Sequence, residues 1–357
     1  MDRSRGARIL LNLARGGMAP AGQSPDARLV LHGSRMELLA AGLRSATVAR
    51  LILLRDVGQP LRELERAASS GTRVLLPEDP DFPEDLRMHP NCPPVLYLRG
   101  ACIPAQLRAG IVGARNATRA MERFSSGLGE ACARAGVAVV SGLARGIDAA
   151  AHAGCLAGDG FPIGVLGCGV DVVYPQETAR LHASVLAAGS LISTFPMGAM
   201  PKPYHFPRRN RIVAALSTRV VVVQATEGSG SMSTARAALD TNTEVCAVPG
   251  SPDDPLARGT NRLIRDGAAP ILEPSDLLEP MLGFGSRPPE EPPRTTRHEP
   301  DRDRLIRLQI GSTPLTADEI SNIIRVPLPE VLERLTRMEL DRKVERLPGR
   351  LYLRREG

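Results

Sequence analysis

Short apolar runs recur through the middle of the chain, and each is followed by a stretch whose apolar residues fall at helical spacing. "AGIVGA", "VAVVSG", "FPIGVLGCG", "SLISTF", "RVVVVQA" and "TEVCAVPG" read as strands. "ERFSSGLGEACARAG", "GIDAAAHAGCLA" and "STARAALDT" read as helices between them. Strands with no polar face need cover on both sides. The alternation therefore predicts an α/β fold, a doubly wound, mostly parallel sheet.

The flanks carry other patterns. Residues 1–80 are rich in Leu, Ala and Arg at helical period ("MELLAAGLRSATVARLILLRDV", "PLRELERAASSG") and predict a small helical N-terminal domain. A proline-rich connector, "LPEDPDFPEDLRMHPNCPPVLYLRG", leads into the core, assigned to 81–281. Residues 282–302, rich in Pro, Arg and Glu, read as a flexible linker. Residues 303–357 predict helix, turn, helix and then a hairpin with Pro-Gly at its turn.

Composition narrows the class. Six scattered cysteines without a CxxC pair fit neither a zinc site nor a disulfide scaffold, and they suit a reducing cytosol. No apolar segment reaches membrane-spanning length, so a cytoplasmic protein without a membrane partner is expected. The net charge of +6 leans toward polyanions. Of 45 basic residues only Lys202 and Lys343 are lysines, so local clustering carries more information than the total.

Ligands of doubly wound sheets bind beyond the carboxyl ends of the strands. Three turns there are rich in glycine or hydroxyls. In "IVGARNAT", Gly113 permits a tight turn and Arg115 stands beside exposed amides at a helix start. In "SGLARGIDAAAH", Ser141, Gly142 and Gly146 are small, Asp148 is expected to cap the next helix, and His152 is expected to be structural. In "TEGSGSMSTA", Gly228, Ser229, Gly230 and Ser231 form a loop suited to phosphate. Any such sheet needs glycine at its turns for packing alone. "GVLGCG" is only a fragment of a dinucleotide fingerprint, and Tyr174 and Pro175 are expected to shape a loop.

"PKPYHFPRRNRIVAALS", residues 201–217, stands apart. It holds Lys202, Arg208, Arg209 and Arg211, no acid, and three adjacent ring side chains, Tyr204, His205 and Phe206. Cations neutralise phosphates without reading sequence. Rings stack on unpaired bases, which a single strand presents and a duplex hides.

With "VGARNAT", "SGLARGIDAAAH", "GVLGCGVDVVYPQE", "FPRRNRIVAALS", "VVQATEGSGSMSTARAAL" and "VPGSPDDPLARGTNRLIRDGA" in order over 110–270, the chain resembles the DprA/Smf family of bacterial DNA-processing proteins. The resemblance implies a Rossmann-like core that binds single-stranded DNA, loads the RecA recombinase onto it during natural transformation, and forms a homodimer. It implies no cofactor and no catalysis. Carried over by motif, the DNA site holds Gly113, Arg115, Ser141, Gly142, Lys202, His205, Phe206, Arg208, Asn210 and Arg211, with Ser229, Gly230, Ser231 and Thr234 on its floor. The "GVGP"-type turn common in the family's first domain is missing from this sequence.

The C-terminal unit resembles the family's winged-helix-like domain. It carries 11 basic and 9 acidic residues. Its second helix sets Glu330, Glu333 and Glu339 against Arg334 and Arg337, which is poor for duplex DNA and suits a protein-interaction role. One rival is an enzyme of the lysine-decarboxylase-like phosphoribohydrolase type. Its "PGGxGTxxE" turn needs a carboxylate, but Ala235, Arg236 and Ala237 follow Thr234. Another is an adaptor for which DNA binding is incidental.

Overall fold

A computed structural model of the chain describes residues 3–17, 25–56, 59–104, 107–283, 315–324, 328–340, 344–347 and 351–354. The chain divides into two units, 1–289 and 290–357.

Nine strands form the sheet of the first unit: β1 (Thr72–Leu75), β2 (Leu96–Gly100), β3 (Arg108–Val112), β4 (Ala138–Ser141), β5 (Pro162–Val165), β6 (Ser190–Ser193), β7 (Arg219–Val222), β8 (Glu244–Ala247) and β9 (Ala269–Pro270). Their spatial order is β1-β2-β6-β5-β4-β3-β7-β8-β9. Strands β3 to β9 run parallel, with Val140 beside Ile163 and Gly110 beside Val220. Strand β2 runs antiparallel to both its neighbours, β6 and the edge strand β1. The chain winds outward from β3 to β6, crosses back, and winds the other way from β7. The switch point of this Rossmann-like order therefore lies between β3 and β7.

Both faces are covered, as the all-apolar strands require. Val112, Val140, Val165 and Val222 pack beneath α10 (His205–Leu216) and α11 (Gly230–Leu239). Ile111, Val139 and Val221 pack beneath α7 (Arg119–Arg134) and α8 (Ile147–Ala157). Thr118 caps α7 by accepting a hydrogen bond from the Met121 amide at 3.3 Å. All six strand expectations match strands of the ladder.

Residues 1–80 hold α1 (Arg3–Arg15), α2 (Ala27–His32), α3 (Arg35–Ala40), α4 (Ser45–Asp56) and α5 (Gln59–Ser69). Strand β1 also lies within this stretch and joins the central sheet, which the helical reading missed. Helix α1 buries two faces. Leu10 and Leu11 pack among the other N-terminal helices, and Ile9 and Leu13 pack with Val95, Tyr97 and Leu191 of the sheet region.

The second unit holds helices Ala317–Ile324 and Leu328–Leu340 and three antiparallel strands, Leu315–Thr316, Val344–Leu347 and Leu351–Arg354. Ile320, Val331, Leu335, Met338 and Tyr352 form its core. The expected linker lies outside the described residues beyond Gly283, as does the Pro-Gly turn.

Candidate nucleic-acid interface

At the switch point the turns after β3, β4, β5 and β7 meet the first turn of α10. Arg209 ties those after β4 and β5 together from inside. Its guanidinium is buried and donates to the carbonyls of Gly142 and Val165, the latter at 2.8 Å. A Cβ on Gly142 would fall inside this guanidinium, so the turn after β4 has no room for a side chain. Asp148 answers from α8, accepting the Gly142 amide at 3.1 Å. Burial pushes the Asp148 carboxyl up, while Arg209 and the amides of Ala144, Gly113 and Gly142 hold it down. Asp148 lies in the first turn of α8 rather than at its N-cap, which is Gly146. Gly146 has φ +72, and a Cβ there would strike the Ala114 carbonyl.

Over this frame lie two adjoining cavities of about 340 Å³ each. Arg115, Ala144, Phe206 and Arg209 line both. The exposed Arg115 places its guanidinium carbon 4.7 Å from the Phe206 ring centroid, a cation–π contact on the shared wall. The first cavity adds Leu166, Gly167, Tyr174 and Pro175, with the Tyr174 and Phe206 rings 5.9 Å apart. Arg145 and Glu177 stand in its lining 3.8 Å from each other. The second cavity adds polar groups to its lining. It opens onto the N-terminus of α11, where Ser229, Gly230, Ser231 and Thr234 face Asn210. The Ser229 and Ser231 hydroxyls lie 2.8 Å apart, and Asn210 donates to the Gly230 carbonyl at 3.0 Å and to Ser233 Oγ at 2.8 Å. A Cβ on Gly230 would meet no atom within 4 Å, so the space above this helix end is open. One cavity offers rings and the other offers amides, hydroxyls and the positive end of a helix dipole.

The sequence-derived candidates divide. Gly113, Arg115, Gly142, Phe206, Asn210, Ser229, Gly230, Ser231 and Thr234 converge on the two cavities. Ser141 is buried and donates to the Ile111 carbonyl at 2.6 Å, which makes it part of the frame. His205 turns inward, stacked on Phe195 at 4.0 Å with Nδ1 3.0 Å from the Gly167 carbonyl. Lys202, Arg208 and Arg211 lie elsewhere. At 100° per residue, α10 sets Phe206, Asn210 and Val213 on one side and Arg208 and Arg211 on the other. Lys202 Nζ and the Arg208 guanidinium lie 5.9 Å and 5.7 Å from the ring of Tyr204, which precedes the helix. Arg211 sits near His89 and, after burial, helps depress its pKa. The basic segment is thus split between the cavities and an outer face.

Arg209, Arg145 and Tyr174 are among the lining residues that escaped the sequence reading of the site. The spacing 206, 209, 210, 213 carried the signal for Arg209. Tyr174 was expected only to shape its loop, whereas its ring forms cavity wall. His152 is fully buried, but among the described residues its two ring nitrogens lack the hydrogen-bond partners that a satisfied structural histidine would have, and burial pushes its pKa down to about 3.

Residues 73–282 match the family described as DNA recombination-mediator protein A. The chain belongs to this family. Residues 287–350 match the DprA winged helix domain, in accord with the two helices and three strands of the second unit. The Smf protein of Escherichia coli strain K12 is 33% identical over 342 residues, 89% of this chain and 91% of that protein. DprA of Streptococcus pneumoniae has a similar structure, with a TM-score of 0.65 and 26% identity over 76% of this chain and 96% of that one. DprA of Helicobacter pylori, whose structure concerns its single-stranded DNA binding mode, gives a TM-score of 0.54 and 28% identity over 59% of this chain and 95% of that one. The DprA assignment thus spans both units, and the paired cavities lie within the first matched region.

Proposed function

We propose that this chain binds single-stranded DNA across the paired cavities, protects it, and delivers it to a RecA-type recombinase during natural transformation. The reading includes action as a homodimer in the cytoplasm. One observation carries it: Arg115 lies on Phe206 in the wall shared by a ring-lined cavity and an amide-lined one. That spacing suits a strand whose base meets rings while its phosphate meets the α11 N-terminus. Among the described residues no helix is long and apolar enough to cross a membrane.

The chain acts here without chemistry. Asp148 spends its oxygens on the frame, and Glu177 faces Arg145. The second unit serves partners other than duplex DNA, because Glu333 lies 3.5 Å from Arg337 on its second helix.

Fluorescence anisotropy with labelled oligo-dT, competed by unlabelled single-stranded or duplex DNA, tests the reading. Single strand is expected to compete far better, and binding is expected to weaken steeply with salt. Equal competition by the two forms would remove it.

A further inference from the structure

We propose that Tyr174 is a base-contacting residue of the groove and that the N-terminal helices position it through an Arg66–Asp171 clasp. The proposal rests on the single-strand reading above and adds a residue and a mechanism to it.

Tyr174 stands 5.9 Å from Phe206 and is 38% exposed, so its ring has a free face toward the ring-lined cavity. It belongs to a loop with no regular structure between β5 and the turn at Gln176–Thr178. Such a loop holds a ring in register only if something outside it does the holding. The far end is fixed by Thr178, whose hydroxyl lies 2.9 Å from the Pro175 carbonyl and 3.5 Å from the Leu143 carbonyl in the turn after β4.

The near end is fixed by Asp171, three residues before the ring. One Asp171 oxygen accepts the Gly198 amide at 2.6 Å, and the other accepts Arg66 at 2.9 Å. Arg66 comes from α5, more than a hundred residues earlier in the chain. Helix α5 presents Pro60, Glu63 and Ala67 inward at helical spacing, and Glu63 accepts the Met197 amide at 2.7 Å. The loop at 197–199 is therefore clamped by α5 at Met197 and by Asp171 at Gly198. The Gly169 amide adds a bond to the Ala199 carbonyl at 2.8 Å.

The path of Arg66 is built into the backbone. Gly198 has φ +70, and any Cβ there would enter the Arg66 guanidinium. A Cβ on Gly169 would lie 2.7 Å from the Asp171 carboxylate and 2.7 Å from the Gly198 amide. Two glycines thus leave space for one carboxylate and one guanidinium that together join α5 to the 169–174 and 197–199 loops. A surface ion pair formed by chance needs no such cleared space.

The chain contains no tryptophan, so Tyr174→Trp places a sole indole in the cavity wall. Oligo-dT is expected to quench it. In that background Arg66→Ala is expected to red-shift the emission and raise acrylamide quenching before any DNA is added. It is also expected to weaken oligo-dT binding about three- to tenfold, a fraction of a lost stack. Arg66→Lys, which keeps the charge, is expected to recover part of the affinity. Arg66 is 56% exposed, so its loss leaves the fold intact, and an unchanged urea midpoint confirms that.

Emission and affinity that stay at the parent value in Arg66→Ala would overturn the clasp. DNA binding without any change in the indole signal would overturn the role of Tyr174. A parent protein that binds no oligo-dT would instead remove the single-strand reading itself, so the two failures are distinguishable.

Discussion

Replacing Gly142 by alanine adds one methyl group at a place already filled by a buried guanidinium. The new Cβ would lie inside the Arg209 guanidinium, which is itself only 5% exposed. Arg209 must leave, and it takes with it the bonds to the Gly142 and Val165 carbonyls. Hydrogen bonds to charged groups contribute roughly 1.5–3 kcal/mol each. Asp148 also loses its countercharge, and breaking a buried pair costs about 3–5 kcal/mol. These are two views of one event, so the expected loss is about 3–5 kcal/mol, a large share of typical domain stability. Urea unfolding followed by circular dichroism measures it, with the slope m unchanged. The decisive control is a double-mutant cycle. In an Arg209→Met background the guanidinium is gone, and Gly142→Ala is expected to cost less than about 1 kcal/mol more. Additive losses, or a single-mutant loss below about 1 kcal/mol, would refute the steric reasoning.

Further expectations concern binding and pH. Arg115→Ala is expected to weaken oligo-dT binding and reduce the slope of log K against log salt by about 0.7, as for one phosphate contact; anisotropy across a salt series measures this. Phe206→Leu is expected to cost roughly 1–3 kcal/mol of binding through lost stacking with little change in salt slope. Gly230→Ala is expected to leave stability equal or up to about 1 kcal/mol higher, because its methyl meets no protein atom, yet to weaken DNA binding. His152 stays neutral in the fold down to about pH 3, whereas the unfolded chain protonates near 6.5. Its contribution is therefore full above pH 6.5 and lost as pH falls, about 2 kcal/mol by pH 5. Asp148 and Glu63, whose pKa values burial raises, act in the opposite sense. The difference between wild type and His152→Gln in urea midpoints at pH 7.5 and 5 isolates the histidine.

The parallel core was legible because its strands are short, wholly apolar and separated by helical stretches, which admits few other architectures. Strands β1, β2 and β9 were not. "TRVL" follows directly on a helical pattern, "LYLRG" emerges from a proline-rich connector, and β9 spans only two residues. None carries the strand–helix–strand spacing that marks the others. At the site, the glycine and hydroxyl turns were legible because each ends a recognisable strand. The fate of the basic segment was not, because adjacency in sequence means opposite faces once a helix forms. Phe206 and Arg209 entered the cavities, while Arg208 and Arg211 did not. Tyr174 was hidden for another reason: its place depends on Asp171 and Arg66, and pairing across that distance leaves no local pattern.

Cys102 stands just past the end of β2, whose antiparallel run sets Gly100 beside Ser190 at the start of β6. It therefore lies at the amino ends of the parallel strands, opposite the cavities, and it is exposed while the other five thiols are buried. Burial raises Cys155 and Cys168 to about 12 and Cys246 to about 11, which leaves little thiolate at neutral pH. The unmodified protein thus offers one maleimide-reactive handle. A dye or surface tether fixed there leaves the groove turned toward solution, ready for single-molecule observation of strand capture without engineering a cysteine.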